Sequence, residues 1–468
     1  MSIISKPISI FPLVVFRIIF GLCMLISTVR FIALGWIDEQ YIKPVFHFSY
    51  FGFEWLPYPS TVGIYLLFLL LFTSSIAIIL GFLYRISTIL FFLSFTYIEL
   101  LDKTYYLNHY YFVSLIGLLL IFLPANRFYS LDVKFRFTKP ALMIEWWTIN
   151  IIKFQIGLVY FYAGLAKLNS DWLLHAMPLK IWLPAHSDMP ILGWFFNFEW
   201  VAYAFSWAGM LFDTIVPFLL LNKKIRALVY VSILIFHSLT GYLFQIGMFP
   251  LIMSACVLVF FSNEFHYTIL KNLTSYWHLL RSKWKSINHK NANTNIDDNI
   301  FSNNNTVILK SKKLVNNQLS TCLLTIYVVF QLVFPWRYLL YPGNLFWTEE
   351  GYRFSWRVML MEKAGTAQFY VKDNQTGRIG DVNNTEFLNR HQEKQMAMQP
   401  DMILQFAHFL KKYYENKGIN SAKITAEIHV TLNGRPSKLL IDPKIDLANK
   451  KESFLPKKWI LPLNDEKF

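Results

Sequence analysis

The sequence predicts an α-helical polytopic membrane domain of about nine transmembrane helices, followed by a smaller α+β domain outside the cytoplasm. Three observations support this fold class. Of the 468 residues, 55% are hydrophobic and only 16% are charged, which is less charge than soluble proteins of this length carry. The hydrophobic residues form separate runs, most of them long enough to cross a membrane. From about residue 341 the pattern changes to the alternation of strands and amphipathic helices.

Nine apolar runs are candidates for transmembrane helices, which need about 20 mainly apolar residues. They lie at approximately residues 10–32, 62–82, 86–101, 109–125, 150–166, 203–222, 225–243, 247–262 and 318–340. The first eight make up a predicted membrane domain, residues 1–262. We interpret the first run as a helix of this domain because no small-residue processing site follows it. The Asn-rich segment 263–317 is predicted to be a flexible cytoplasmic linker before the ninth run.

Three patterns predict the secondary structure of the C-terminal domain, residues 341–468. The segment AQFYVKDNQTGRIGDV surrounds a glycine-containing turn and predicts a β-hairpin. The segment PDMILQFAHFLKKYYENKG has helical periodicity, with Pro at its start and Gly at its end. The segment KITAEIHVTLNGRPSKLLID alternates at period two around Asn-Gly, which predicts a second hairpin. An α+β domain is therefore expected.

The distribution of Lys and Arg predicts the orientation, because cytoplasmic loops are enriched in both. With the N-terminus in the cytoplasm, most cations fall in cytoplasmic loops, and the opposite loops hold only Lys43, Lys103, Lys167 and Lys180. We expect a multi-pass integral membrane protein whose C-terminal domain lies outside the cytoplasm. A bacterial inner membrane fits best, and in a eukaryote the equivalent side is the lumen of the endoplasmic reticulum.

Charge and cysteine usage exclude several other classes. The formal charge of +15 is concentrated in short loops between apolar runs, so lipid is the expected partner and nucleic acid is not. Cys23, Cys256 and Cys322 fall inside apolar runs without a CxxC pair, so we expect packing residues and no metal site. No phosphate-binding loop, HExxH motif or nucleophile elbow is present.

Polar residues converge at the predicted outer face, beginning with LLDKTYYLNHYYF at residues 100–112. In the predicted topology Asp102, His109 and Lys167 lie on the same side as the C-terminal domain. Each residue also has an ordinary interpretation. Lys167 could snorkel to lipid headgroups, His109 could cap a helix, and Asp102 could pair with Lys103 on a solvated turn. Ionisable residues near a membrane are nevertheless often functional.

Five blocks in one order resemble the vitamin K-dependent γ-glutamyl carboxylase family, whose membrane part is also called the horizontally transferred transmembrane domain. The blocks are LLDKTYYLNHYYF, FYAGLAKLNSDW, FHSLTGYLFQIGMF, FWTEEGYRFSW and LIDPKID. The resemblance extends from about residue 10 to about residue 450.

The resemblance implies an enzyme that oxidises vitamin K hydroquinone with O2 to the epoxide and uses the energy to carboxylate glutamate with CO2. The partner would be a glutamate-containing protein or peptide, and no metal is implied. A γ-proton beside a carboxylate is too weakly acidic for an ordinary side-chain base. The energy must therefore come from redox chemistry that is shielded from water.

The resemblance also assigns site residues. Lys167 matches the base that deprotonates the hydroquinone, a role that requires a neutral amine, and burial favours this form. His109, with Asn108, matches the histidine that positions glutamate and assists carboxylation. The family segment between quinone and glutamate aligns with Phe244, Gln245 and Met248. The family's glutamate-binding segment aligns with a second group, which consists of Trp347, Tyr352, Ser355, Trp356 and, once a gap is introduced, Arg390.

Two alternatives remain open. Ala166 precedes Lys167, where vertebrate members carry a second lysine, and positions around 357–362 also differ from the vertebrate segment. Retention of the hydroquinone base does not guarantee carboxylation, so a quinol epoxidase or oxidase without carboxylation is one alternative. A non-enzymatic quinone- or lipid-binding membrane protein is the other. The presence of both Lys167 and His109 favours an enzyme, because a binding protein would not need both.

Overall fold

The computed structural model describes residues 6–244, 246–273, 275, 318–419 and 421–463. Ten helices come before the C-terminal domain in these ranges. They are α1 (Phe11–Ala33), α2 (Thr61–Leu80), α3 (Tyr84–Leu101), α4 (Asn108–Phe122), α5 (Trp146–Ala166), α6 (Glu199–Leu219), α7 (Arg226–Phe244), α8 (Phe249–Val257), α9 (Asn263–Leu273) and α10 (Gln318–Val333). Short one-turn helices occupy some of the connections.

The prediction of about nine spans is approximate. Within the described ranges, seven helices are long and apolar enough to cross a membrane, and an eighth span results if the bent pair Phe249–Phe260 and Asn263–Leu273 counts as one. The helix α4 is apolar but has only 15 residues. The fold class is confirmed, and the chain is a multi-pass membrane protein. The helix α9 occupies the start of the segment predicted as a linker, and residues 276–317 lie outside the described ranges.

Buried polar contacts fix one end of the helix bundle. The guanidinium of Arg17 is fully buried and donates to the carbonyl oxygens of Ala125 at 2.8 Å and Tyr129 at 2.6 Å. The helix α2 ends at Gly81 with φ +61°, and a Cβ there would overlap Arg17. Glycine is therefore needed at this turn both for its φ and for the close approach of Arg17.

The cysteines differ in their surroundings. Cys23 and Cys256 are buried, as the packing interpretation requires, but Cys322 is exposed. That interpretation is wrong for Cys322 because its side chain on α10 faces away from the bundle.

The C-terminal domain is built on a four-stranded antiparallel sheet packed against a helix. Its elements are β3 (Lys363–Lys372), β4 (Ile379–Asp381), α11 (Arg390–Met396), α12 (Pro400–Asn416), β5 (Lys423–Leu432) and β6 (Lys438–Leu439), with strand order β4-β3-β5-β6. Two short strands, β1 (Pro7–Ser9) and β2 (Met143–Glu145), pair before α1 and α5.

Both predicted hairpins and the predicted helix are confirmed. In the first, Tyr370 pairs with Asp381, and in the second, Val430 pairs with Lys438 across the Asn-Gly turn. Alternate residues of β5 are buried against α12, namely Ile424, Ala426, Ile428, Val430 and Leu432. This alternation is the period-two pattern that the sequence predicted.

A buried ionic cluster joins the membrane domain to the C-terminal domain. Lys103 Nζ lies 2.8 Å from Asp401 Oδ2, and Arg353 Nη1 lies 2.7 Å from the same oxygen. Burial alone would raise the pKa of Asp401, but the two cations hold it well below its usual range. Burial lowers the pKa of Lys103, an effect that Asp401 opposes and Arg353 reinforces. The carboxylate of Asp401 thus pairs with both Lys103 and Arg353.

The alternative that Asp102 and Lys103 pair on a solvated turn is wrong. Both are buried, with 2% and 4% exposure, because the C-terminal domain covers them. Asp102 accepts hydrogen bonds from Gln392 Nε2 at 2.7 Å and from the hydroxyl of Thr104 at 2.6 Å, and contacts His47 Nδ1 at 3.1 Å. The two residues therefore hold the domains together through different partners.

A second buried ion pair joins the segment that follows α5 to the C-terminal domain. Arg435 donates through both terminal nitrogens to Asp171, each at 2.8 Å, and Asn433 Nδ2 donates to Asp171 at 2.8 Å. Burial alone would raise the pKa of Asp171, but these hydrogen bonds lower it. We call the end of the bundle that carries Asp102, Asp171 and the C-terminal domain the domain end.

Candidate functional site

A buried ion pair lies at the domain end of the bundle. Lys167 follows the last residue of α5, and its Nζ lies 2.7 Å from Asp213 Oδ2 on α6. Nζ also donates to the carbonyl oxygen of Ala163 at 3.1 Å. Each side chain is only 7% exposed. The snorkelling alternative for Lys167 therefore does not describe this conformation, in which the amine is held inside the protein.

Close packing of two helices makes this pair possible. Gly164 on α5 faces Thr214 on α6, and a Cβ at Gly164 would overlap the hydroxyl and backbone of Thr214. Because the two helices approach so closely there, side chains that lie next to this contact on α5 and α6 can touch directly. Asp213 precedes Thr214, and Lys167 lies about one turn beyond Gly164, so both members of the ion pair lie next to this close contact.

The pair opens into a cavity of about 90 Å³. Its lining is mostly apolar or aromatic, and includes Ala163, Trp172, Leu179, Trp182, Phe205, Phe236, Phe244, Phe249 and Met253. Lys167 Nζ also lies 5.4 Å from the centre of the Trp172 ring. Ligand sites commonly combine apolar walls with a few convergent polar groups, and this cavity has that character.

The size of the cavity limits what it can hold without movement. A volume of 90 Å³ is smaller than the roughly 150 Å³ that accommodates benzene in an engineered protein cavity. A bicyclic aromatic ring would therefore have to displace wall residues. Met359 is one such residue, and its unbranched side chain can change rotamer at small cost.

A second polar pair lies on the cavity wall. The hydroxyl of Tyr160 on α5 and Nε2 of His237 on α7 are 2.7 Å apart, and both residues line the cavity. Among the described residues, no hydrogen-bond partner is found for the buried Nδ1 of His237. The cavity thus has two polar pairs on mostly apolar walls.

His109 and Asn108 lie behind the cavity rather than in it. Both belong to the first turn of α4, and His109 is buried with 5% exposure. The centre of the His109 ring lies 5.8 Å from that of Phe249, which lines the cavity. Asn108 Nδ2 donates to the carbonyl oxygen of Arg357 at 2.7 Å. Phe249 therefore contacts His109 and also lines the cavity that holds Lys167.

The segment 352–359 runs from the C-terminal domain to the cavity. Its backbone has positive φ at Phe354 (+59°), Trp356 (+58°) and Met359 (+54°), which is strained for large side chains. Trp356 is fully buried, and its ring stacks on Tyr111 at 4.9 Å. This strained segment brings Val358 and Met359 to the cavity wall.

The remaining predicted site residues lie in different places. Phe244 lines the cavity, and its ring centre is 5.3 Å from that of Trp182. Met248 precedes α8 and is partly buried, while Gln245 lies outside the described residues.

The predicted glutamate-binding residues are similarly dispersed. Trp347 is 2% exposed and donates through Nε1 to the carbonyl oxygen of Leu461 at 2.8 Å. The hydroxyl of Ser355 donates to the carbonyl oxygen of Tyr352, and burial raises the pKa of Tyr352. Arg390 is exposed at the start of α11, away from the cavity lining.

Sequence reasoning missed Asp213 and Tyr160. Asp213 carried a usable signal, because an ionisable residue inside an apolar span is a functional candidate by default. Tyr160 gave none, since tyrosine is common in membrane helices of this aromatic chain. Within the described ranges, no group of three His, Cys, Asp or Glu side chains is arranged to hold a metal ion.

No solved structure matches this chain. The model of the HTTM domain matches residues 5–265, and the model of the vitamin K-dependent gamma-carboxylase lumenal domain matches residues 316–466. The first match ends within the first turn of α9, and the second begins just before α10. With both domains present in this order, the chain belongs to the vitamin K-dependent gamma-carboxylase family, as the five sequence blocks predicted.

Proposed function

We propose that this protein is a vitamin K-dependent γ-glutamyl carboxylase. It would couple O2-dependent epoxidation of vitamin K hydroquinone to carboxylation of glutamate in a protein or peptide by CO2. The observation that carries the proposal is the buried Lys167–Asp213 pair on an aromatic cavity beside the C-terminal domain. The two family domains that match this chain support the same activity.

In this proposal Lys167 is the base that takes a proton from the hydroquinone. It must be neutral before it can do so, and Asp213 offers a place for the ammonium proton only 2.7 Å away. The apolar walls of the cavity exclude bulk water from the pair, so a proton could pass directly between Lys167 and Asp213. Oxidation of the hydroquinone would supply the energy for removing the γ-proton of glutamate, because no ordinary side-chain base is strong enough.

His109 acts on the glutamate in this proposal, with Asn108 and the segment 352–359 placing the substrate. Support comes from the hydrogen bond between Asn108 and the carbonyl of Arg357, which ties the start of α4 to that segment. Trp347, with Tyr352, Ser355 and Trp356, would shape the glutamate site. Arg390 would act from the exposed surface, where it could contact the carboxylates of the substrate polypeptide.

Phe244 and Met248 would form the partition between quinone and glutamate. The aromatic side chain of Phe244 lines the cavity, and Phe249 both lines it and contacts His109, with ring centres 5.8 Å apart. Such a partition would keep the two half-reactions adjacent but shielded from bulk water. We place the catalytic face outside the cytoplasm because of the Lys and Arg distribution.

Substitution of Lys167 tests the proposal. Lys167→Ala should abolish epoxide formation and, with it, carboxylation. Lys167→Arg should fail as well, because guanidinium stays protonated at any working pH. A small added amine should restore part of the activity of Lys167→Ala. Full activity of Lys167→Arg would contradict the role of Lys167 as base, since an arginine could only replace a structural or snorkelling lysine.

A second candidate function is oxidation of a quinol without carboxylation. The observation that favours it is that His109 does not line the cavity that holds Lys167. A chain could therefore keep the quinol site and lose the glutamate site. Separate assays of epoxide and γ-carboxyglutamate distinguish the two functions.

A further inference from the structure

The two polar pairs of the cavity lie on the same face of α5. Tyr160 and Lys167 are seven residues apart, which places them almost two full turns apart on one side of a helix. At 1.5 Å per residue this spacing is about 10 Å along the axis. Lys167 reaches back toward Ala163, and a tyrosine on a helix also leans toward the N-terminus. Because both side chains lean toward the N-terminus, we take this axial spacing as the approximate separation of the two pairs.

This spacing matches one class of ligand. An aromatic ring with hydroxyls at opposite positions, together with a hydrogen bond of about 2.8 Å at each end, spans roughly 11 Å. Both pairs can accept a proton or hydrogen bond, the first through Asp213 or a neutral Lys167 and the second through Tyr160. A para-hydroquinone could therefore donate one hydroxyl to each pair.

The second pair has unused hydrogen-bonding capacity. Tyr160 and His237 are 3% and 2% exposed, and water has little access to them. The hydroxyl of Tyr160 can donate to His237 Nε2 at 2.7 Å and still accept a hydrogen bond from a ligand. In the described part of the chain, His237 Nδ1 is buried without a partner, which is costly unless something completes the site.

Packing alone does not account for this arrangement. A buried tyrosine usually satisfies its hydroxyl with a backbone oxygen, as Tyr162 on the same helix does with the carbonyl of Leu332 at 2.5 Å. Tyr160 instead pairs with a histidine on a different helix, at the wall of a cavity. Burying two polar side chains in a mostly apolar wall, one of them with an unpaired nitrogen, costs free energy.

We infer that Tyr160 and His237 bind the second hydroxyl of a para-hydroquinone whose first hydroxyl faces Lys167 and Asp213. This inference rests on the proposed function and deepens it by naming positioning residues and a requirement for two opposite hydroxyls. Tyr160 and His237 hold the ring in one position along α5. No electron or proton leaves the ligand through them.

The test measures binding rather than turnover. The probes are reduced menadione, which is 2-methyl-1,4-naphthohydroquinone, and its two monomethyl ethers, titrated into detergent-purified full-length protein without O2. Wild type should bind the diol about tenfold more tightly than either ether, because one hydrogen bond in a dry site is lost. Tyr160→Phe should bind the diol about tenfold more weakly than wild type does. This variant should also bind the diol no more tightly than it binds the ethers.

Two further variants make the test specific. His237→Phe should show the same loss of preference for the diol, which covers the case in which Tyr160→Phe does not fold. Tyr162→Phe is the matched control, because it removes a hydroxyl from the same helix outside the cavity. It should leave diol and ether binding unchanged.

The outcomes separate the two proposals. If wild type prefers the diol and both cavity variants keep that preference, the inference is overturned while the proposed function stands. If wild type binds the diol and ethers equally, the second pair does not contact a hydroxyl and the inference is again overturned. If wild type binds none of the three compounds, the proposed function itself fails.

Discussion

Removing one member of the Lys167–Asp213 pair should destabilise the protein strongly, and removing both should not. Each side chain is only 7% exposed, and the two atoms lie 2.7 Å apart. Loss of one partner leaves a charge buried in an apolar cavity, which costs about 3–5 kcal/mol. Replacement of the whole pair by apolar side chains of similar size is often neutral or stabilising.

We therefore expect Lys167→Met and Asp213→Leu each to lower the free energy of unfolding by about 3–5 kcal/mol. The double variant should be more stable than either single variant, by about 3 kcal/mol. The assay is chemical unfolding of the full-length protein in detergent, followed by circular dichroism. All three variants should lack epoxide formation, so recovered stability would not bring back activity.

The matched control is the exposed pair of Lys43 and Glu39, whose side chains are 63% and 57% exposed. Lys43→Met should leave the stability unchanged within error, because water solvates the remaining carboxylate. If Lys167→Met were equally harmless, or if the two cavity substitutions were simply additive, the pair would not be a buried, coupled unit. The structural basis for a proton shared between Lys167 and Asp213 would then be refuted.

Three other predictions follow from the structure and the charge pattern. His109→Ala should reduce carboxylation more than epoxidation, because His109 does not line the cavity that holds Lys167, and equal loss of both activities would contradict this. Asp401 has a lowered pKa, so its stabilising effect should be complete above its unfolded pKa of about 4 and be lost as the pH falls further; Asp401→Asn should show a smaller acid destabilisation in a pH series. Tags at the N-terminus and in 290–305 should be protected from external protease and a C-terminal tag should be accessible, and exposure of the 290–305 tag would refute the predicted orientation.

Much of the fold could be predicted because local patterns determine it. The Asn433–Gly434 turn has φ of +50° and +80°, which an Asn-Gly pair adopts readily, and the flanking alternation fixed the second hairpin. The apolar runs located the helices for the same reason. The count was less certain, because the bend between α8 and α9 and the short α4 depend on neighbouring helices rather than on local hydropathy.

The site was only partly predictable. The resemblance drew attention to Lys167, but its partner Asp213 is 46 residues away, and only the close packing at Gly164 shows that they meet. The same is true of Lys103, whose neighbour in sequence is Asp102 but whose partner is Asp401. Pairing across helices and domains depends on tertiary packing, which periodicity in a single sequence does not encode.

Product analysis of the purified wild-type protein tests the central claim most directly. The reaction would contain reduced vitamin K, O2, isotopically labelled CO2 and a glutamate-containing peptide, with epoxide and labelled γ-carboxyglutamate measured separately. We predict that both products form together and that both disappear in Lys167→Ala. Epoxide without labelled peptide would support the quinol-oxidising alternative, and the absence of both products from folded wild-type protein would contradict the proposed function.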